Sequence, residues 1–312
     1  MTISVIIPFY NERLQIPLTL DSVSAVLEET GETFEILAID DGSEDESVEV
    51  MIEEAKSRPY LRILSLSRNF GKEAALCAGL DEAKGDAVIV MDGDLQHPPS
   101  YIPEMIRLWR EGYMVVEGVK SFRGKESRFS KGKANFFYKL FARFSGYNLT
   151  NASDFKLLDR QVVDEWTKLR ERDTFFRALS AWLGFKRTTF PFEVAERTTG
   201  DSKWGGLKLI KLSINAITSF SARPIYAIAM VGMILLLLFF ILGIQTLVTY
   251  FLGRSIVGFT TVILLQLLIG GGTLFSLGLI GIYIGRIFDE VKDRPRYIIS
   301  YDSQAEPKDT GG

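Results

Sequence analysis

Two carboxylates, one residue apart, directly follow a short apolar run in the first third of the chain. The run covers residues 88–91; Asp92, Gly93 and Asp94 come next, and Gln96 follows shortly after. An apolar β-strand delivers the side chains after it to the carboxyl edge of a sheet, where carboxylate oxygens can hold Mg²⁺ or Mn²⁺ against a diphosphate. Paired acids also cap helices or line loops, but the preceding strand and the following Gln-His-Pro-Pro favour a metal site.

Elements that could position this site are visible as apolar runs that alternate with helical patterns. The runs cover residues 4–8, 34–39, 61–66 and 87–91, with helical patterns at 17–29, 46–55 and 72–84. This alternation predicts a doubly wound sheet whose ligands bind at the carboxyl ends of its strands. Polar clusters follow each run, at residues 8–12, 40–43, 67–69 and 92–94. We therefore expect four strand ends to meet at one crevice.

Two common nucleotide-binding classes lack their signatures in this sequence. No Gly-x-Gly-x-x-Gly follows the first run, and no Gly-x-x-x-x-Gly-Lys-Ser/Thr occurs anywhere in the chain, which argues against a Rossmann dehydrogenase and a P-loop NTPase. Instead, Tyr10 follows the first run, and Asp40 and Asp41 follow the second. An aromatic ring can stack on a base, and carboxylates can accept hydrogen bonds from a base or a ribose. Asp41, with Ser43 beside it, is also a candidate cap of the following helix.

Composition narrows the function further. The 312 residues suffice for one sizeable α/β domain and an appendage. A formal net charge of −3 gives no signal for a nucleic-acid partner. Cys77 is the single cysteine, which excludes an intramolecular disulfide. The first apolar run is too short for a signal peptide and lacks a basic flank, so we expect the first domain to stay in the cytoplasm.

Two long uncharged runs near the C-terminus, 225–252 and 256–285, predict a membrane anchor. Each exceeds the ~20 residues that a spanning helix needs, which disfavours a buried core helix. The flanking basic residues are Lys208, Lys211 and Arg223 before the pair, Arg254 between the runs, and Arg286, Lys292, Arg294 and Arg296 after it. The positive-inside rule then predicts a multi-pass protein of the inner, cytoplasmic membrane, with both ends of a helical hairpin in the cytoplasm.

The predicted domains follow from these patterns. They are a cytoplasmic catalytic domain at 1–203, an amphipathic interfacial helix at 204–223, a transmembrane hairpin at 224–288 (spans near 225–252 and 256–286), and a polar cytoplasmic tail at 289–312. The helix carries an apolar stripe opposite lysines, which suits the lipid headgroup region. Packing of that helix against the first domain is the alternative.

The motifs at 4–12, 40–43, 69–72 and 92–99 together resemble the family 2 glycosyltransferases of GT-A fold. Within that family the chain is similar to polyprenyl-phosphate glycosyltransferases: dolichol-phosphate mannose synthases and, because of the two C-terminal spans, more closely bactoprenol glucosyltransferases. The resemblance covers residues 2–286. It implies a GT-A α/β fold with a doubly wound mixed sheet, and inverting transfer of a hexose, such as glucose from UDP-glucose, to undecaprenyl (bactoprenyl) phosphate with Mg²⁺ or Mn²⁺.

The resemblance also implies roles for individual residues. Those of the donor nucleotide pocket are Pro8, Tyr10, Glu12, Asp41, Lys72, Asp92 and Gly93; the metal ligands are Asp92, Asp94 and Gln96; and the catalytic residues are Asp94 and Asp154. From the bare sequence, Asp154 could belong to a turn or an N-cap. The resemblance implies instead that its carboxylate faces the acceptor. A lipid phosphate has a second pKa of ~6 and needs little help from a base, so we expect Asp154 to orient it. His97 is expected to make a structural hydrogen bond.

Basic residues elsewhere are candidates for phosphate binding. Residues 120–144 mix basic and aromatic side chains, and residues 197–204 resemble the family's loop that closes over phosphates. The candidate acceptor and phosphate ligands are Arg123, Arg128, Lys131, Arg197, Ser202 and Lys203. A solvated face and an ordinary linker are the alternatives for the two stretches. Basic and aromatic residues also bind single-stranded nucleic acid, but the adjoining anchor favours a lipid phosphate.

Two rival functions are weighed against lipid glycosylation. A processive polysaccharide synthase shares the acid motifs, but it carries a Gln-x-x-Arg-Trp segment and more spans, and neither is present here. A non-catalytic, nucleotide-sugar-binding membrane scaffold is disfavoured by the complete acid motifs. The sugar, the base and the formation of a homo-oligomer stay open.

Overall fold

The computed structural model describes residues 1–120, 152–169, 171, 174–193, 223–253 and 258–305. These residues fall into two units. The first unit holds the described residues up to 193 and those from 295 onward, and the second holds 223–253 and 258–294.

The first half of the first unit is a parallel βα repeat. Its elements are β1 (Thr2–Phe9), α1 (Gln15–Thr30), β2 (Thr33–Asp40), α2 (Ser47–Ser57), β3 (Leu61–Leu66), α3 (Lys72–Glu82) and β4 (Ala87–Val90). β1 pairs in parallel with β2 and β4, and β2 pairs in parallel with β3. Ile3, Val5, Ile6 and Ile7 are fully buried, as expected for a central strand covered by helices on both faces. All four predicted strands and three predicted helices are confirmed.

The second half makes the sheet mixed. A short 3₁₀ turn (Pro99–Tyr101) leads to α4 (Ile102–Arg110), β5 (Val115–Lys120), β6 (Ala152–Asp159), α5 (Arg160–Thr167), α6 (Phe176–Trp182) and β7 (Arg187–Phe192). β6 runs antiparallel to both β4 and β5, while β5 and β7 are parallel. The strand order is β7-β5-β6-β4-β1-β2-β3-β8, where β8 is Ile299–Asp302. The predicted mixed sheet is confirmed.

The register of β6 places its first residues at the carboxyl edge of β4. Val90 pairs with Lys156. Because the two strands are antiparallel, continuing the same register by two residues brings Asp154 level with Asp92. The reversed strand therefore carries an acid to the edge where β4 delivers its own acids.

β8 corrects the prediction that residues 289–312 form only a polar tail. It pairs antiparallel with the edge strand β3. Arg62 on β3 binds Asp302 at 2.8 Å and Glu82 at 2.6 Å, and the Tyr297 hydroxyl donates to Asp81 at 2.7 Å. The segment is short and lies between polar residues, which hides its strand pattern in the sequence. β8 thus forms the edge of the sheet beyond β3.

The second unit contains two long helices, α7 (Arg223–Phe251) and α8 (Phe259–Val291). Within them, Ile228–Thr249 and Leu268–Val291 are long and apolar enough to cross a membrane. The two predicted apolar helices are therefore present, and the second continues to Val291, beyond the predicted end of its span. The predicted interfacial helix lies outside the described residues except for its last position, Arg223, which begins α7.

Candidate active site

The turn after β4 is built around a glycine that lies close against another side chain. A Cβ atom on Gly93 would lie 2.5 Å from Cε1 of Phe9. The Thr19 hydroxyl on α1 donates to the Gly93 carbonyl at 2.6 Å. Contact with a ring on one side and a hydrogen bond from a helix on the other fix the backbone between the two acids. Gly93 thus has a structural reason to stand in the motif, whatever it contacts in a donor.

The rest of this turn presents Asp94 at the edge of the sheet. Leu95 adopts a left-handed backbone conformation, with φ at 57°. The backbone N–H of Gln96 donates to Oδ1 of Asp94 at 3.1 Å. A positive φ at a branched residue is unfavourable and persists only where the surrounding structure enforces it. The sequence Asp-Gly-Asp-Leu-Gln is therefore one rigid turn.

His97 holds the backbone of Asp92, the first acid of the motif, in place. Its Nδ1 accepts the backbone N–H of Asp92 at 3.1 Å, and its ring stacks on Phe155 with centroids 5.2 Å apart. Burial lowers the pKa of His97, which keeps the imidazole neutral at pH 7 and able to accept at Nδ1. The expected structural hydrogen bond is confirmed.

Lys72, the first residue of α3, joins two predicted site acids. Its Nζ lies 2.5 Å from Oδ1 of Asp92 and 2.6 Å from Oδ2 of Asp154. Burial lowers the pKa of Lys72, but the charges of the two carboxylates outweigh it and raise the pKa above its ordinary value. The ammonium is therefore permanently charged, and it links the acid predicted on the donor side to the acid predicted on the acceptor side.

Arg177 on α6 is a site residue that the sequence did not reveal. Its Nε lies 2.8 Å from Oδ1 of Asp154 and its Nη2 lies 3.0 Å from Oδ2. Burial raises the pKa of Asp154, but Lys72 and Arg177 together hold it well below its usual range. Asp154 is thus ionised at any physiological pH. Arg177 lies in a helix of only seven residues, and no local pattern signals its place beside Asp154.

Lys120, at the end of β5, adds a third positive charge near the acids. Burial lowers the pKa of Lys120, as does the charge of Arg177, while the neighbouring carboxylates oppose that shift. Three cations, Lys72, Lys120 and Arg177, and three acids, Asp92, Asp94 and Asp154, are among the groups that interact here, with Glu73 and Lys156 buried behind them. The formal charges of the first six groups cancel. Such a site can take up a divalent cation together with a diphosphate without accumulating charge.

Asp41 lies at the carboxyl end of β2 and is bound by backbone. The N–H of Phe70 donates to Oδ1 at 2.8 Å, and the N–H of Gly71 donates to Oδ2 at 3.0 Å. Burial raises the pKa of Asp41, and these backbone hydrogen bonds oppose that shift. Asp41 does not cap α2, whose N-cap Glu46 makes no side-chain cap bond. The alternative capping role was therefore wrong; its contact with a base stays a prediction.

Two loops of the predicted nucleotide pocket are tied to each other. The backbone N–H of Asn11 donates to the Ser43 hydroxyl at 2.9 Å, and Asn11 Oδ1 accepts the N–H of Glu44 at 2.8 Å. The N–H of Glu12 donates to the Ser47 hydroxyl at 3.1 Å. Tyr10, next to these bonds, is 42% exposed. The loops form a rigid support from which an aromatic ring is presented to solvent. Pro8 lies within β1, paired with Ile39.

The predicted metal ligands all lie on the turn after β4. No group of three His, Cys, Asp or Glu side chains in the described part of the chain could hold a metal ion. The predicted set instead combines the carboxylates of Asp92 and Asp94 with the amide of Gln96, all on one rigid turn. Lys72 binds Oδ1 of Asp92, which leaves the second oxygen of that carboxylate for a cation. This all-oxygen donor set fits Mg²⁺ or Mn²⁺.

The remaining predicted ligands are not placed by the structure. Arg123, Arg128, Lys131, Arg197, Ser202 and Lys203 lie outside the described residues.

Comparison with known proteins gives the family. Residues 4–167 match the glycosyl transferase family 2 model. The chain is 40% identical to "Uncharacterized glycosyltransferase YkcC" of Bacillus subtilis over 95% of this chain and 92% of that protein. It is 37% identical to the SfII prophage-derived bactoprenol glucosyl transferase of Shigella flexneri, over 98% of this chain and 100% of that protein.

A solved structure is also similar in part. The Mycobacterium tuberculosis glucosyl-3-phosphoglycerate synthase, crystallised with Mn²⁺, UDP-glucose and phosphoglyceric acid, aligns with a TM-score of 0.48 and 20% identity. The alignment covers 70% of this chain and 77% of that one. Together, the family match and the mixed sheet described above confirm the predicted fold class, and the chain belongs to glycosyl transferase family 2 and is a glycosyltransferase.

Proposed function

We propose that the enzyme transfers glucose from UDP-glucose to a polyprenyl phosphate of the undecaprenyl type, with inversion at the anomeric carbon. The observation that carries the proposal is the link from Asp92 through Lys72 to Asp154, which joins the donor and acceptor acids at one edge of the sheet. The name of the 37% identical bactoprenol glucosyl transferase supports the lipid acceptor and the sugar. UDP is the carrier that the family resemblance implies.

The acceptor side requires orientation more than proton removal. A lipid phosphate is largely dianionic at pH 7, and one of its oxygens attacks the anomeric carbon as the bond to the leaving diphosphate breaks. Asp154 is ionised and clamped by Lys72 and Arg177, so it has no tendency to take a proton. Its role is to hold these two cations in place beside the reacting phosphates. No covalent sugar–enzyme intermediate is required.

The donor side holds the leaving group. When bound, a divalent cation on Asp92, Asp94 and Gln96 would supply positive charge to the diphosphate. Tyr10 presents its ring for stacking on the base, and the Asn11 bonds keep that loop in place. The Lys72 ammonium contacts both the donor-side acid Asp92 and the acceptor-side acid Asp154. Preorganised positive charge of this kind stabilises a departing anion in a site with little water.

The membrane part is a hairpin with the catalytic unit on the cytoplasmic side. β8, which follows α8, pairs with β3 of the first unit. This pairing supports a topology in which the residues after the second apolar helix lie on the same side of a membrane as the first unit, as two spans would place them. A reporter fused after Gly312 should be cytoplasmic, and a tag inserted at Gly253 should be accessible only from the opposite side. An external C-terminal reporter would contradict the hairpin.

The activity is tested with the full chain purified in detergent and undecaprenyl phosphate as acceptor. A panel of UDP- and GDP-sugars is supplied with Mg²⁺ or Mn²⁺, and mass spectrometry detects the lipid product. We expect one hexose per lipid, from UDP-glucose. A product carrying several sugars would support a processive synthase. Donor binding without any lipid product would support the scaffold.

A further inference from the structure

A buried lysine underlies the helix that carries Arg177. Lys156 is fully buried on β6, and because side chains alternate along a strand, it shares a face with Asp154. Its Nζ donates to the Ser180 hydroxyl at 2.6 Å and to the Arg177 carbonyl at 3.4 Å. Glu117 on β5 lies 3.5 Å from the same nitrogen. Lys156 thus binds α6 (Phe176–Trp182) on the side that faces the sheet.

The other end of α6 is tied down as well. The backbone N–H of Phe176 donates to Oε2 of Glu73 at 2.8 Å, and the Phe176 ring packs on Trp166 with centroids 5.3 Å apart. Two hydrogen-bonded anchors, one before and one after Arg177, therefore hold this short helix. An isolated helix of this length has no stability of its own, so these contacts decide where Arg177 points.

Stability alone does not account for a lysine at this position. Burying an ion pair costs several kcal/mol, and apolar replacements of buried pairs are often neutral or stabilising. An apolar side chain would fill the space but could not donate to the Arg177 carbonyl or the Ser180 hydroxyl. Lys156 therefore adds two hydrogen bonds. Both are made to α6, the helix that carries Arg177, whose guanidinium binds Asp154.

We propose that Lys156 is a positioning residue for the transfer reaction: it fixes α6 so that Arg177 meets Asp154 with two nitrogens. The inference rests on the proposed role of Asp154 in the transfer. A displacement of reacting groups by about 1 Å can cost ~100-fold in rate. Loosening α6 should therefore lower kcat while leaving the donor pocket, which is built from β1 to β4, unchanged.

The test compares two variants of the full chain in detergent. Lys156→Met combined with Glu117→Gln removes both charges and leaves no buried ion unpaired, whereas Glu117→Gln alone keeps the bonds from Lys156 to α6. For the double variant we expect kcat to fall ~10–100-fold with an unchanged donor KM. Its melting temperature should be unchanged or higher. The single variant should keep a kcat near that of the wild type although its melting temperature falls, because Lys156 loses its ion partner but keeps its bonds to α6.

Hydrogen exchange over residues 176–182 provides a readout that needs no activity. It should speed up in the double variant and not in Glu117→Gln. An unchanged kcat despite faster exchange would overturn the inference, and so would unchanged exchange. Should the double variant fail to fold, Ser180→Ala removes one of the two bonds, and a wild-type kcat in that variant would also overturn it. The two proposals can fail separately. If exchange is faster in the double variant but the wild type makes no lipid product, the anchoring of α6 by Lys156 is supported and the proposed function is refuted.

Discussion

Asp41 and Asp154 are both buried acids at the same edge of one sheet, yet they are held in different ways. Asp41 accepts two backbone N–H groups from the loop before α3, whereas Asp154 is bound by the side chains of Lys72 and Arg177. Burial raises the pKa of Asp41, while the two cations keep the pKa of Asp154 below its usual range. Asp41 on the donor side is thus held by backbone and Asp154 on the acceptor side by charge, while Lys72 also contacts the donor-side acid Asp92.

This difference determines how each side should respond to mutation. Backbone contacts survive the loss of a neighbouring side chain, so the donor side should tolerate changes in its surroundings and fail when its own acids change. Ion pairs depend on both partners, so the acceptor side should fail when a distant cation is removed. The predictions below test that contrast.

The largest effect is expected from Asp94→Asn on the donor side. The change is nearly isosteric and should leave the fold intact, but it removes a charged ligand from the predicted divalent ion. Transfer should fall by ~10³-fold or more, and EDTA should abolish transfer by the wild type. Asp164→Asn, on the exposed face of α5, is the matched control and should be fully active. Full turnover in EDTA would contradict the metal site.

Arg177→Met should have the next largest effect, and on the acceptor side. Removing the guanidinium leaves Asp154 with Lys72 alone, so kcat should fall ~100-fold with little change in donor binding. Arg177→Lys should recover only part of the rate, because an ammonium cannot bind both carboxylate oxygens in the same planar geometry. Steady-state kinetics on both variants, with Arg187→Met as a control on β7, measure this. A fully active lysine variant would refute the need for the bidentate pair.

Glu73→Gln should have the smallest effect, seen in stability rather than rate. Burial, with the charge of Asp154, raises the pKa of Glu73 to about 7. A group with a raised folded pKa stabilises fully below its unfolded pKa, and this contribution is lost as pH rises through 7. The wild type should therefore lose ~1–3 kcal/mol relative to Glu73→Gln between pH 5 and 8. Melting curves of both proteins at pH 5 and pH 8 measure this loss. If the stability of the wild type and that of Glu73→Gln change equally between the two pH values, the prediction is contradicted.

The same contrast explains what could be predicted from the sequence. The strands β1 to β4 lie close to their expected positions, because buried parallel strands are continuous apolar runs. The turn after β4 was visible because its acids directly follow a buried apolar strand, and Gly93 between them lies against the Phe9 ring. Motifs of this kind record local geometry, and local geometry is what a single sequence shows best.

Contacts between distant segments left no comparable signal. Arg177 and Lys156 act across 23 and 24 residues, to Asp154 and Ser180 respectively, and nothing near either residue marks the partner. β8 was missed because a four-residue edge strand carries too little pattern to stand out from a polar tail. The residues predicted to bind the acceptor phosphate lie outside the described residues, and their roles stay predictions.

The central claim is that Asp154 serves the acceptor and not the donor, and one paired measurement on Asp154→Asn tests it most directly. Calorimetric titration of UDP-glucose with the divalent ion is combined with the transfer assay on the same preparation. The account predicts donor affinity within about twofold of the wild type and a kcat lower by ~10³-fold, because Lys72 keeps its contact with Asp92 while the clamp on the acceptor side is lost. Loss of donor binding in Asp154→Asn, together with unchanged donor binding in Asp41→Ala, would contradict it.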